Sequence, residues 1–510
     1  MNMNERPVNS GLTAGKIATG AITLVALVAL LVGMIVVRPL PSGVDAAAAD
    51  SSVIRQSVGQ RVSVNYCPAR MTLADNTQYG DSAYQTSEGD IASSSRYAAF
   101  GSVYSSVLTG LTGDDKGELE DKDPADDAAV HLLAGNADGG AIVQTTQLLD
   151  ANNGTGVSSA TASWASSGDL RGIAASGCVD AGLDHSFLLP ATQTGWTQRL
   201  VIANATAKAT TVNVQAWGTS SSDRLSLAVA GTVSVAANGE STVDLSAAAP
   251  GQDALFVTVS SRDTPVSAVV RVVAMNGLNP QGNDYVTASG QADQRIALPG
   301  VKGAQGVKAL LFGRSDASVT LSWITPTGLA TAQETRIDAN KVQSVDAGAP
   351  PADAIGLAVT ADQAVNASLV VTMNGDGGQS DFAVVPGIAR AVSSAVAVPD
   401  QVDATVNLVN WNREASSVKV SAFDADGKLL GTKQVDLTVN GAASLSAEDL
   451  GQGVAAIKVD DEGQSVSWNV TLGRKDLADR KVGAIAALGP RALTPLRATI
   501  GADPALGVIG

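Results

Sequence analysis

The sequence predicts a mainly β protein: an N-terminal transmembrane helix followed by tandem immunoglobulin-like β-sandwich domains, with a propeller-like β array as the alternative. Three observations predict it. An unbroken apolar segment lies between Lys16 and Arg38, four landmarks recur in one order three times, and apolar residues alternate with polar ones inside each recurrence.

The apolar segment comes first. Residues 17–37 are uncharged and carry Ile22, Leu24, Val25, Leu27, Val28, Leu30, Leu31 and Val32. As a helix rising ~1.5 Å per residue they span about 30 Å, the thickness of a hydrocarbon core. Arg6 and Lys16 precede the segment and favour a cytoplasmic N-terminus of residues 1–16, while Arg38 on the far side pulls the other way. The expectation is a cell-membrane protein with one pass and its C-terminal domains outside. A cleaved signal peptide is the rival, with Ala46 to Ala49 as its small-residue site, but its apolar core is normally shorter.

Residues 38–51, with Pro39, Pro41 and Gly43, read as a spacer, and residues 52–190 as a β-rich domain. That domain holds Cys67 and Cys178, the only cysteines, so export implies one disulfide closing a loop of about 110 residues. On the chain-entropy model it stabilises by ~4 kcal/mol. Within the domain, residues 114–127 carry eight acids against two lysines and no apolar period, the mark of a solvated loop.

Three units follow, placed at residues 191–297, 298–384 and 385–480, with a tail at 481–510. Each opens on an apolar run: Leu200-Val201-Ile202, Leu310-Leu311-Phe312, then Val406-Asn407-Leu408. A strand ending on Trp217, Trp323 or Phe423 comes next, then an asparagine turn at Asn238, Asn340 or Asn440, 102 and 100 residues apart. A last strand begins near Val266, Val365 or Val466. In the first unit Val233 and Val235 alternate on one side of Asn238-Gly239 and Val243 and Leu245 on the other, which predicts a two-residue hairpin. Strands are expected near 199–204, 211–217, 225–229, 232–236, 241–245, 254–260 and 265–273, the size of an immunoglobulin-like sandwich. One turn landmark per hundred residues does not favour propeller blades of about 40 to 45 residues. Leu298-Pro299-Gly300-Val301 and Val385-Pro386-Gly387-Ile388 read as joints between units.

Few chemistries fit. A net charge of −16 repels phosphate backbones, so nucleic acid is not expected as a partner. His131 and His185 are the only histidines, too few for a histidine-rich metal site. Asp184, His185 and Ser186 are consecutive, and an extended chain turns them to alternate faces, where no triad aligns. The acidic stretches 114–127 and Asn374 to Asp381 depart from the EF-hand register and read as solvated loops. No catalytic, cofactor or metal residue is assigned. Aromatics make up 4% of the chain; Trp217, Trp323 and Trp468 sit on apolar strands and are assigned to cores, leaving Trp164, Trp196 and Trp411 as candidate ligand aromatics.

The order of anchor, Cys67-Pro68, the run Asp169-Leu170-Arg171-Gly172-Ile173 before Cys178, and then units ending on strands such as Pro265-Val266-Ser267-Ala268 resembles an actinobacterial family of uncharacterised, membrane-anchored extracellular proteins. The resemblance covers most of residues 17–510 and implies a cell-envelope location and genes for surface-glycan synthesis as neighbours. It carries over no functional residue. The expected role is a non-enzymatic structural or binding platform for wall glycan or another envelope protein. The alternative is an accessory or catalytic component of cell-surface polysaccharide assembly.

Overall fold

The computed structural model describes residues 54–59, 61–74, 85–119, 126–228, 231–494 and 497–502. The expected membrane span, residues 17–37, and the spacer lie outside them; no helix of the described residues is long and apolar enough to cross a membrane. The chain divides into a terminal unit, residues 1–57 and 499–510, and a main unit, residues 58–498. Strand β1 (Ile54–Gly59) pairs with the last strand, Arg497–Ala502, in a two-stranded sheet.

The main unit is predominantly β-strand, arranged in several discrete antiparallel sheets. Its first set of strands comprises β2 (Val62–Cys67), β3 (Ala92–Phe100), β4 (Val103–Gly110), β5 (Asp115–Leu119), β6 (Val130–Gly135), β7 (Ile142–Leu148), β8 (Gly156–Val157), β9 (Ala160–Ala165), β10 (Gly172–Gly177) and β11 (Val179–Asp180). They form one sheet in the order β11-β2-β7-β4-β5 and another in the order β10-β9-β3-β6, with β8 on β3. The Cys67–Cys178 disulfide forms, across a separation of 111 residues. Part of the acidic stretch departs from a solvated loop: Asp115 to Leu119 pair with β4, because Leu119 reaches the core while its acidic neighbours face water.

The second set comprises β12 (Asp184–Leu189), β13 (Trp196–Asn204), β14 (Thr210–Trp217), β15 (Thr232–Val235), β16 (Gly239–Asp244), β17 (Leu255–Ser261), β18 (Ser267–Asn276) and β19 (Asn279–Val286). One sheet runs β12-β17-β14-β15 and the other β16-β13-β18-β19. Period-two burial builds both: on β14, Val212, Val214 and Ala216 are buried while Thr211 and Asn213 face water. The two sheets share one apolar cluster, which includes Phe187, Leu189, Leu200, Ile202, Val257 and Val270.

The third set comprises β20 (Asp293–Pro299), β21 (Gly306–Gly313), β22 (Ala317–Thr325), β23 (Gly328–Ile337), β24 (Val342–Gly348), β25 (Gly356–Asn374) and β26 (Ser380–Pro386). The fourth comprises β27 (Ser393–Ala397), β28 (Asp403–Asn410), β29 (Ser416–Phe423), β30 (Leu429–Leu437), β31 (Ala442–Ser446), β32 (Ala456–Asp460), β33 (Val466–Gly473), β34 (Ala486–Leu488) and β35 (Arg491–Ala492). The fourth set repeats the pairing of the second, as β30-β29-β32-β27 and β31-β28-β33-β34. In the third, β25 is one 19-residue strand doing the work of two, so all strands join a seven-stranded sheet. The second set breaks at this point with Pro265, and the fourth with Gly463 and Gln464 at φ +47°; the third has Asp362-Gln363-Ala364, which needs no break.

Three readings of the sequence require correction here. Asn238-Gly239 is not a two-residue hairpin: β15 pairs with β14 and β16 with β13, so the turn carries the chain from one sheet to the other. The asparagines nonetheless share a conformation, with φ of +50°, +58° and +52° at Asn238, Asn340 and Asn440. No strand forms over residues 225–228; Leu225 and Leu227 instead lie half-buried against the core. Pro299 and Gly300 do not join two units, because Leu298 and Pro299 end β20 inside the third set, with Leu298 buried. The described residues of the tail pack on the fourth set, where β34 pairs with β33 and β35 with β27.

Candidate functional site at the meeting point of four strand sets

The four sets make contact in a cycle through shared apolar clusters. Tyr66 of the first packs with Val201 and Tyr285 of the second, whose core continues into Leu310 and Phe312 of the third. Ile324 and Ile355 of the third meet Trp411 and Ala442 of the fourth, and Phe423 of the fourth meets Phe100 of the first. At the centre, β10, β19, β26 and β34 lie against one another, one strand from each set.

Two aspartates, both fully buried, tie these strands together. Asp381 Oδ2, on β26, accepts from the Ile173 amide of β10 at 2.9 Å and from the Ile485 amide beside β34 at 3.0 Å. Its Oδ1 accepts from the Asn283 amide of β19 at 3.2 Å. Asp284, on β19, accepts from Ala175 of β10 at 3.3 Å and from Val384 of β26 at 2.8 Å. Strand edges from different sets thus end on carboxyl oxygens instead of on a continued ladder, which satisfies amides that burial would otherwise orphan. Burial pushes the Asp381 carboxyl up to about 8, against the pull of the amides that favour its charged form. Asp284 is held well above the usual carboxylate range, by burial first, with Asp381 adding to it. The packing leaves no slack: at Gly172, whose φ is +130°, an added Cβ would fall 2.6 Å from the Asp381 carboxyl.

A cleft lies where these central strands end. Its lining comes from every set: Asp180 just past β10, residues 288–290 past β19, Ile388 and Ala389 past β26, and residues 490–492 past β34. The cleft holds about 520 Å³. Asp180 is held on both oxygens, by the Asn65 amide at 2.6 Å and by the Arg491 guanidinium, so it ties the first set to the fourth. A second cavity of about 330 Å³ adjoins it and shares Ser289, Gly290, Ile388 and Ala389. Arg295, Arg390, Asn366 and Gln464 also line this one.

A model of the family of unknown function DUF5719 matches residues 124–448, more than half of the chain. The chain belongs to that family. No curated protein matches it. Among solved structures, the chain is similar at 10% identity to the Streptomyces avermitilis α-L-rhamnosidase complexed with L-rhamnose, with a TM-score of 0.11, over 74% of this chain and 54% of that one. Similarity to dimeric latent PorU from Porphyromonas gingivalis is also 10% identity and TM-score 0.11, over 68% and 32%. The chain therefore spans about half and about a third of those two lengths, and a TM-score of this size carries no argument about fold or activity.

Within this DUF5719 member the matched segment contains Asp284, Asp381, Arg295, Arg390 and Trp411. The candidate ligand aromatics are not brought together. Trp164 is buried in a cluster with the fourth set and lies 4.2 Å beneath the Arg474 guanidinium. Trp196 is half-buried and packs on Phe382 at 5.4 Å. Trp411 is 3% exposed and carries the Arg295 guanidinium 4.8 Å over its ring, which puts it behind the second cavity. Trp217, Trp323 and Trp468 are all buried, as their strand positions predict. His185 hydrogen-bonds the Val266 carbonyl at 2.6 Å. The stretch Asn374 to Asp381 is a solvated loop only in part, since it ends in the buried Asp381. Sequence reasoning missed Asp284, Asp381, Arg295 and Arg390. A signal existed for the first two: Asp284-Tyr285 and Asp381-Phe382 are 97 residues apart, near the repeat spacing, and each is followed by glycine six positions after the aspartate, Gly290 and Gly387.

Proposed function

We propose that the chain is a membrane-anchored protein of the cell envelope, facing outward, that acts as a non-enzymatic platform holding wall glycan or another envelope protein. The repeated strand sets serve as immunoglobulin-like sandwiches, and the central cleft is the place of attachment. One observation carries this reading: the cleft is walled by segments from all four sets, which the buried Asp284 and Asp381 fasten to one another. Walls fixed in this way need no ordering when a partner arrives, so less of the binding free energy is spent on immobilisation. The cleft size falls in the range of small-molecule sites, about 300–1,000 Å³.

The test uses the full chain in detergent micelles, incubated with purified wall polymer and sedimented. Co-sedimentation that is lost when Ala389→Trp fills the cleft supports the platform; failure to bind both the polymer and solubilised envelope proteins contradicts it. A reporter fused after residue 51 tests the orientation independently, with activity outside the cell expected and cytoplasmic activity ruling it out.

A further inference from the structure

The smaller cavity has a chemistry of its own. Arg295 and Arg390 both line it, in a chain whose net charge is −16. Both are held by one residue: the Arg295 guanidinium lies 4.8 Å over the Trp411 ring, and Arg390 Nη1 donates to the Trp411 carbonyl at 3.2 Å. Stacking fixes the plane of one guanidinium, and a single hydrogen bond leaves the other most of its five donors. Among the described residues neither is paired with a carboxylate. Asp293 lines the same cavity, but it is exposed and its Oδ1 accepts from the Arg295 backbone amide at 3.2 Å. Ser289 lines it as well, and its Oγ is buried with no hydrogen-bond partner.

Two guanidiniums against one exposed carboxylate leave this concave space with an excess of positive charge, which an entering anion offsets. Planar forks match oxyanions two bonds at a time, which favours carboxylate or phosphate over halide. The other polar side chains of the lining, Gln291, Asn366, Gln464 and Ser467, are neutral and suited to hydroxyl groups, and they stand among apolar residues such as Ile296 and Ile388.

We infer that this cavity binds an oxyanion, carboxylate or phosphate, carried on a sugar residue. The inference deepens the platform reading, since the cavity opens beside the central cleft through Ser289 and Gly290 and would select acidic wall polymers over neutral ones. It stands or falls separately from that reading. Calorimetric titration of the full chain in detergent micelles with glucuronate, glucose 6-phosphate and glucose tests it. At least one of the two acidic sugars is expected to bind ten-fold or more tightly than glucose, to weaken as salt rises, and to lose ten-fold or more in affinity in Arg295→Gln and in Arg390→Gln. The tighter of the two acidic sugars identifies the source of the anion. Variants with an unchanged melting temperature separate lost contact from lost fold, and Arg390→Lys, which keeps the charge and loses the fork, is expected to lie between. Glucose binding as tightly as the acidic sugars, acidic-sugar binding undiminished in both arginine variants, or no binding by any of the three overturns the inference. The platform reading then still rests on polymer co-sedimentation.

Discussion

Asp381 shows how much one side chain does here. Its two oxygens receive amides from three other strand sets, so a replacement that turns one oxygen into a nitrogen loses an acceptor. In Asp381→Asn one oxygen becomes an NH₂ that meets a buried N–H, and an unsatisfied buried donor costs about 1–3 kcal/mol. The pH dependence follows from the raised carboxyl. With a folded value of about 8 against about 3.9 in the unfolded chain, the native state binds the extra proton between those limits. Stability from this group is therefore greatest at low pH, falls as pH rises from about 4 to about 8, and levels off above. Asp284 titrates in the same direction and adds to the trend. Melting temperatures measured between pH 5 and pH 9 should fall for the native chain. Asp381→Asn should melt lower at pH 6, and its deficit should shrink as pH rises toward 8 and level off above, because the variant has no charge to bury.

At the scale of elements, the asparagine turns are the feature most legible beforehand and also the one whose role differs from expectation. Spacing and residue type mark Asn238, Asn340 and Asn440 as left-handed, and all three are. What they join is set by pairing partners far away in the chain, which local turn chemistry does not encode, so a hairpin was expected where the chain changes sheets. Asn238 is exposed, so its substitution isolates the backbone effect. Asn238→Ala should destabilise by about 1 kcal/mol, and Asn238→Gly should be neutral or slightly stabilising, in chemical denaturation. Strand β14 could be read from the sequence because its apolar residues recur at period two, and β13, β17 and β18 because they are short apolar runs rich in Val, Leu and Ile. Strand β19 could not. Asn279-Pro280-Gln281-Gly282-Asn283-Asp284 is a run of turn formers, and only its position between β18 and β26 makes it a strand. The candidate site was hidden for the same reason, since its aspartates sit in segments that local pattern assigns to loops, and its arginines converge only through Trp411.

For the whole molecule, the disulfide and the β class were legible because each rests on counts and periods that survive any arrangement of the sets. The cycle of contacts was not, since it depends on which apolar residues face outward from each set, as with Phe312 stacking on Phe256 at 3.9 Å. The central claim is that buried carboxyls bind four strand sets into one body and so hold the cleft open in a fixed shape. Hydrogen exchange on Asp381→Asn at pH 6, read peptide by peptide against the native chain, addresses it most directly. The account predicts faster exchange at Ile173, Asn283 and Ile485, each in a different set from the substitution. Exchange that quickens only around residues 380–386 would contradict it.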